Sequence, residues 1–103
     1  MQNKNPFMVF REEAPDVASA FDCLIGSISS LDGLDAKTRQ LIYIGIKASQ
    51  GEAGAVAAHV PMAKKEGATR SEIRDTILLT LTVSGVQGMS HCLVPALEAY
   101  ENC

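Results

Sequence analysis

The side chains best able to do chemistry fall in two short runs on either side of Gln50-Gly51. Gln40, Tyr43 and Lys47 stand at i, i+3 and i+7, and Glu52, Ala55 and His59 repeat that spacing after the turn. In a helix, residues so spaced share one face. Gln40 precedes Gln50 by ten residues and His59 follows Gly51 by eight, which is about 15 and 12 Å along the two axes at 1.5 Å per residue. An antiparallel helical hairpin would therefore hold Gln40 and His59 level across one cleft. Imidazole is the one group in this set that titrates near neutrality. The chemistry on offer is proton transfer at His59, with an amide, a phenol, an ammonium and a carboxylate around it. Each residue also has a purely structural reading. A histidine on an Ala-rich helix is often just packed, and Lys47 suits a surface lysine lying along apolar neighbours. Glu52 in a first helical turn complements the macrodipole, and Tyr43 suits the core.

The elements that would position these residues are helices. Pro15 suits a first turn, and Val17, Ala18, Phe21, Leu24, Ile25 and Ile28 then recur at helical spacing, with Cys23 beside the stripe. Asp35 is an N-cap for a second helix. From Leu41 to Ala48 that helix is apolar on nearly every side, the pattern of a helix buried in a bundle. Gly51 ends it. A third helix runs from about Glu52 to Lys65 with Pro61 inside it, and Gly67 stops it. Thr69-Arg70-Ser71-Glu72 is a capping box opening a fourth helix on Ile73, Ile77, Leu78 and Leu81. The run ILLTLTVSGV also has the composition of a buried strand; the capping box decides for helix. Gly85 and Gly88 bracket a corner, and a fifth helix carries Leu93, Val94, Leu97 and Tyr100. The expectation is an all-α array of about five helices around a central hairpin: a tail over residues 1–13 and one domain over 14–103.

Composition narrows the function. The chain has 103 residues, 47% hydrophobic and 20% charged, with a net charge of −3, which suits one globular domain. No basic stripe exists, so neither nucleic acid nor an anionic membrane is an expected partner. The stretch from Ile77 to Val86 is about half the length of a membrane-spanning helix, and MQNKNPFMVFREE has no sustained apolar run, so the default compartment is the cytoplasm. The apolar fraction exceeds what one small core hides, which predicts self-association. The helices after Thr69 would form the contact, with Phe7 and Phe10 clasping a neighbour. Three cysteines without a CxxC and two histidines argue for free thiols and no metal site. Nucleotide-binding and hydrolase signatures are absent, so no cofactor is expected.

The run from Leu34 to Val86 resembles the carboxymuconolactone decarboxylase family, which includes the alkyl hydroperoxidase D branch. The matching pieces are TRQLI at Thr38–Ile42, His59 within AAHV, EGAT at Glu66–Thr69, SEI at Ser71–Ile73 and SGV at Ser84–Val86. The resemblance implies an all-α fold and assembly as homotrimers or homohexamers. The peroxidase branch carries a CxxC before the histidine and an acidic relay residue before that. Those positions fall on Glu52, Ala55 and Gln40 here, so a dithiol mechanism has neither its nucleophile nor its resolving thiol. The decarboxylase branch lacks the CxxC and keeps the histidine. By that likeness, His59 would shuttle a proton, Arg39 or Lys47 would anchor a carboxylate, Tyr43 or Gln40 would donate to a developing oxyanion, and Glu52 would orient His59. The substrate would be a small carboxylated, lactone-type molecule.

Two other readings stand beside this one. GMSHCLV superficially imitates the thiol motif, which leaves a one-cysteine redox protein using Cys92, although adjacent His91 and Cys92 face about 100° apart on a helix. The third reading is a non-catalytic oligomer, a relative that lost its active residues.

Overall fold

The structure is a computed structural model that describes residues 5–103. Two units make up the chain, divided after Gly33.

The first unit is a pair of helices. α1 (Pro6–Glu13) begins where Asn5 Oδ1 accepts a hydrogen bond from the Phe7 amide at 2.8 Å, with Pro6 in the first turn. The expected tail is thus helical from Pro6 on, while its first four residues lie outside the described ones. Eight residues are too few to display a period, so the cap and the proline carry the signal instead. α2 (Pro15–Ser29) follows. Phe10 and Phe21 meet edge to face with centroids 5.9 Å apart, and Arg11 Nη2 reaches both carboxylate oxygens of Asp22 at 2.9 and 3.1 Å. In α2 only Ala18 is buried; Val17, Phe21, Leu24, Ile25 and Ile28 keep their periodicity but stay exposed.

The second unit holds the core. α3 (Ala36–Ser49) starts at Asp35, whose carboxylate accepts from the Thr38 amide at 2.7 Å; this bonding holds the Asp35 carboxyl below its usual range. At its far end the Gly51 amide donates to Ala48 O and the Glu52 amide to Lys47 O, a paired closure that needs the left-handed φ of +74° at Gly51. α4 (Ala53–Lys65) therefore doubles back on α3. Pro61 removes one backbone bond inside α4, yet the helix continues because Val56, Val60 and Ala63 are fully buried around it.

α5 (Arg70–Leu79) opens on the expected capping box. The Glu72 amide donates to Thr69 Oγ1 at 3.0 Å, and the Thr69 amide returns a bond to Glu72 Oε1 at 2.8 Å. The strand-like run is helical as far as Ser84, broken once at Thr80 into α5 and α6 (Leu81–Ser84), and closes in a turn at Gly85-Val86. α7 (Gln87–Glu101) then packs across α4 and α5. Gly88 on α7 marks the tightest approach: a Cβ there would collide with Thr80 Oγ1 and lie 2.8 Å from the Ala48 carbonyl oxygen. Lys64 secures the other end of α7, donating to Tyr100 O at 2.8 Å and Cys103 O at 3.0 Å while lying over the Tyr100 ring.

Two expectations about packing are corrected. α3 is not buried all round: Ile44 and Ala48 are sealed, but Ile42 and Ile46 are 45% and 54% exposed. Its neighbours within the unit, α4, α5 and α7, leave one flank uncovered. On α7 the sealed positions are Gly88, Cys92 and Ala96, with Leu93 and Tyr100 packed at their edge, whereas Val94 is 64% exposed. Small residues take the inner face because α7 lies close against α3 and α4.

Candidate functional site

The hairpin brings the polar residues of α3 and α4 together. His59 Nδ1 lies 2.9 Å from Gln40 Oε1, joining residues nineteen apart in sequence. The Tyr43 ring stacks on the imidazole with centroids 3.7 Å apart and planes inclined by 25°. Lys47 Nζ lies 3.3 Å from Glu52 Oε2, spanning the turn. Gln40, Tyr43, Lys47 and His59 are all half-buried, and Glu52 is exposed.

With Gln40 Oε1 turned to the ring, the matching tautomer of neutral imidazole has Nδ1 protonated and donating, and the lone pair on Nε2. Two contacts, one in the ring plane and one on its face, hold that orientation. Burial lowers the His59 pKa below its ordinary value, and the positive charge of Lys47 lowers it further. His59 is therefore mostly neutral at pH 7, and its imidazolium is a stronger acid than a free one.

The other named residues take different places. Glu52 engages Lys47 across the turn, and its Oε2 is the oxygen that holds the ammonium. Arg39 is half-buried on α3, one turn before Tyr43. Cys92 lies in the core of the second unit beside Ile44, Ile73 and Ile77, fully buried, and burial raises its thiol pKa. His91 next to it is exposed, with Nδ1 2.9 Å from Gln87 O. Among the described residues, no group of three or more His, Cys, Asp or Glu is placed to hold a metal ion.

A feature that reading the sequence missed lies on the opposite flank of α3. Ile42, Gly45, Ile46 and Ser49 point about 140° away from Gln40, Tyr43 and Lys47 at 100° per residue. With Leu79 and Val83 they line a groove of about 370 Å³. Its signal in the sequence was the all-round apolar character of Leu41 to Ala48.

The site of this small all-α protein is a helical hairpin that presents one oriented imidazole among an amide, a phenol and an ammonium. Residues 15–98 match the Carboxymuconolactone decarboxylase family, and the chain belongs to that family. It is similar to an uncharacterised protein of Methanocaldococcus jannaschii, 33% identical over 86 residues that cover 82% of this chain and 83% of that protein. In three dimensions it is similar to the apo form of a carboxymuconolactone decarboxylase family protein from Legionella pneumophila. That likeness has a TM-score of 0.77 and 27% identity, over 92% of this chain and 84% of the other. The match begins at the start of α2, so it extends well upstream of the Leu34–Val86 run that carries the resemblance in sequence. Among the described residues, no helix is long and apolar enough to cross a membrane.

Proposed function

We propose that the protein catalyses decarboxylase-type acid–base chemistry on a small carboxylated, lactone-type substrate, with His59 as the proton shuttle. The observation that carries this reading is the bond between His59 Nδ1 and Gln40 Oε1, which leaves Nε2 as the nitrogen that exchanges protons. In the reaction, the bond between carbon and carboxylate breaks and carbon dioxide leaves. The electron pair passes into the conjugated carbonyl, making an enolate, and a proton is then delivered to carbon. The net reaction takes up one proton, which His59 draws from water and passes on through Nε2. A pKa held down by burial and by Lys47 favours that second step. Lys47 is the anchor for the substrate carboxylate, exchanging its contact with exposed Glu52 for one with substrate. Arg39 is the second candidate cation. Tyr43 and the Gln40 amide group border the imidazole and could stabilise the developing oxyanion.

The buried, raised-pKa thiol of Cys92 weighs against the redox reading, because a thiolate that can be reached is the reactive form. Turnover of a carboxylated lactone by the wild-type chain, His59→Gln and Cys92→Ser tests the proposal. The His59→Gln chain is expected to lose about a hundredfold or more in rate while keeping its helical content, and Cys92→Ser to stay active. Loss of activity in Cys92→Ser with His59→Gln fully active would transfer the function to the thiol. A wild-type chain without turnover would favour the non-catalytic relative.

A further inference from the structure

Two lysine–glutamate pairs in the second unit are built differently. In the pair of Lys37 and Glu72, both carboxylate oxygens are engaged. Oε2 meets Lys37 Nζ at 3.0 Å, and Oε1 accepts from the Thr69 amide at 2.8 Å, so Glu72 is fastened into the capping box of α5. Glu52 is held more loosely. Its contact with Lys47 Nζ is 3.3 Å, longer than the about 2.7–2.9 Å usual for an ammonium on a carboxylate. It stands at the N-cap of α4, yet its side chain makes no cap bond there. Its side chain is 53% exposed against 29% for Lys47, so the carboxylate is the outer, displaceable member. The backbone is fixed all the same: the Glu52 amide donates to Lys47 O at 3.0 Å. The Gly51 turn therefore keeps that carboxylate beside the lysine even when the side chains part.

We propose that Glu52 is a built-in competitor at Lys47: the chain's own carboxylate occupies the ammonium until an organic carboxylate takes its place, and this sets how tightly the site holds its ligand. The inference rests on Lys47 being the carboxylate anchor of the proposed function. It gives Glu52 a task that proton transfer at His59 does not need. A competitor carried on the same turn is present at a fixed local concentration. It weakens every incoming carboxylate by one common factor, the ratio of all Lys47 to unpaired Lys47. An exposed pair of this kind is closed about half to five-sixths of the time, which makes that factor about two- to sixfold. The charge of Lys47 is felt at the imidazole, where it is second to burial in lowering the His59 pKa. An anion held at Nζ is thus within electrostatic reach of the ring, whose proton resonances report its arrival.

The test is titration of the full chain with acetate and with malonate at fixed ionic strength and pH 7, followed by the His59 imidazole resonances, with helical content checked by circular dichroism. Glu52→Gln is expected to tighten both probes by the same factor, about two- to sixfold, because the competitor is displaced once whichever anion arrives. Glu52→Ala, which removes the carboxylate without adding a hydrogen-bonding group, is expected to give the same gain. Lys47→Met is expected to lose both probes, and adding Glu52→Gln to it to restore neither. Equal affinities in the wild type and Glu52→Gln would overturn the proposal. Weaker binding in Glu52→Gln would also do so, since Glu52 would then be positioning Lys47. A gain for malonate approaching the square of the gain for acetate would mean that Glu52 acts by repulsion at a distance and not by occupancy, which overturns it too. So would a wild type and Glu52→Gln that both bind neither probe, or binding that survives Lys47→Met. The outcome is separable from that of decarboxylation. Lactone turnover with acetate affinity unchanged in Glu52→Gln sinks the competitor alone, and the expected gains in a chain without turnover sink the decarboxylase alone.

Discussion

The two exposed flanks of α3 solve opposite problems. On one, Gln40 and Lys47 are polar groups that a single well-placed atom can satisfy, and the chain supplies those atoms: His59 for Gln40 and Glu52 for Lys47. On the other, Ile42 and Ile46 have no such remedy, because apolar surface is relieved only by another surface. The polar flank is accordingly complete within the second unit, whereas the apolar flank keeps side chains about half exposed. Between them, Ile44 and Ala48 face inward and hold the helix to the core. The polar cluster and the apolar groove are thus separable on one helix, because they occupy faces about 140° apart.

The strongest blow to both flanks should come from the face between them. Ile44→Ala removes a fully buried side chain and is expected to cost about 2–5 kcal/mol, read as a lower urea midpoint. A loss below about 1 kcal/mol would mean that α3 is held by something other than this face. Next is Gly88→Ala. The added methyl meets Thr80 Oγ1 and the Ala48 carbonyl, and α7 has to shift, so a loss of about 1–3 kcal/mol is expected in thermal unfolding. No loss would show that the close approach of α3 and α7 has slack.

The flanks themselves are separated by a matched pair of changes. Gln40→Met keeps side-chain length but removes the acceptor for His59 Nδ1, so the tautomer is no longer enforced. Turnover should fall by about tenfold, less than for the loss of His59 itself. Ile42→Ser, two residues away on the apolar flank, should leave turnover unchanged. Equal effects of the two on the rate would collapse the distinction between the flanks.

The subtlest test concerns pH. The folded His59 pKa lies below its unfolded value, so the unfolded chain takes up a proton first as acid is added. The stability that neutral His59 contributes is complete above about pH 6.5, the unfolded value, and declines as pH falls towards the folded pKa. Lys47→Met should raise the His59 pKa, followed by proton NMR of the imidazole, without restoring the ordinary value, because burial is the larger cause. A full return to the ordinary value in Lys47→Met would assign the shift to charge alone.

Much of the second unit is legible in the amino-acid sequence. The Asp35 cap, the Gly51 turn and the Thr69–Glu72 capping box are local signals, each made by atoms within about one helical turn, so residue type alone announces them. The pairing of Gln40 with His59 is legible for a related reason: helical rise and a short turn leave little freedom in which residues stand level. α1 is not legible as a helix, since its eight residues show a cap and no period. The inner face of α7 is easily misread because large apolar residues advertise burial, and here Gly88, Cys92 and Ala96 are buried instead, chosen for the closeness of α3 and α4.

Sequence alone determined where the helices of the second unit begin and end and which residues could meet across the hairpin, because caps and periodicity are short-range physics. It also determined family membership through spaced motifs. Tertiary structure decided which apolar residues are hidden. Ile44 and Ile46 have the same side chain two positions apart, yet one is sealed and the other is 54% exposed. Burial depends on what lies across from a side chain, and α4, α5 and α7 reach only part of the circumference of α3. It also decided the role of Glu52, whose carboxylate holds Lys47 because the Gly51 turn brings those two groups within 3.3 Å.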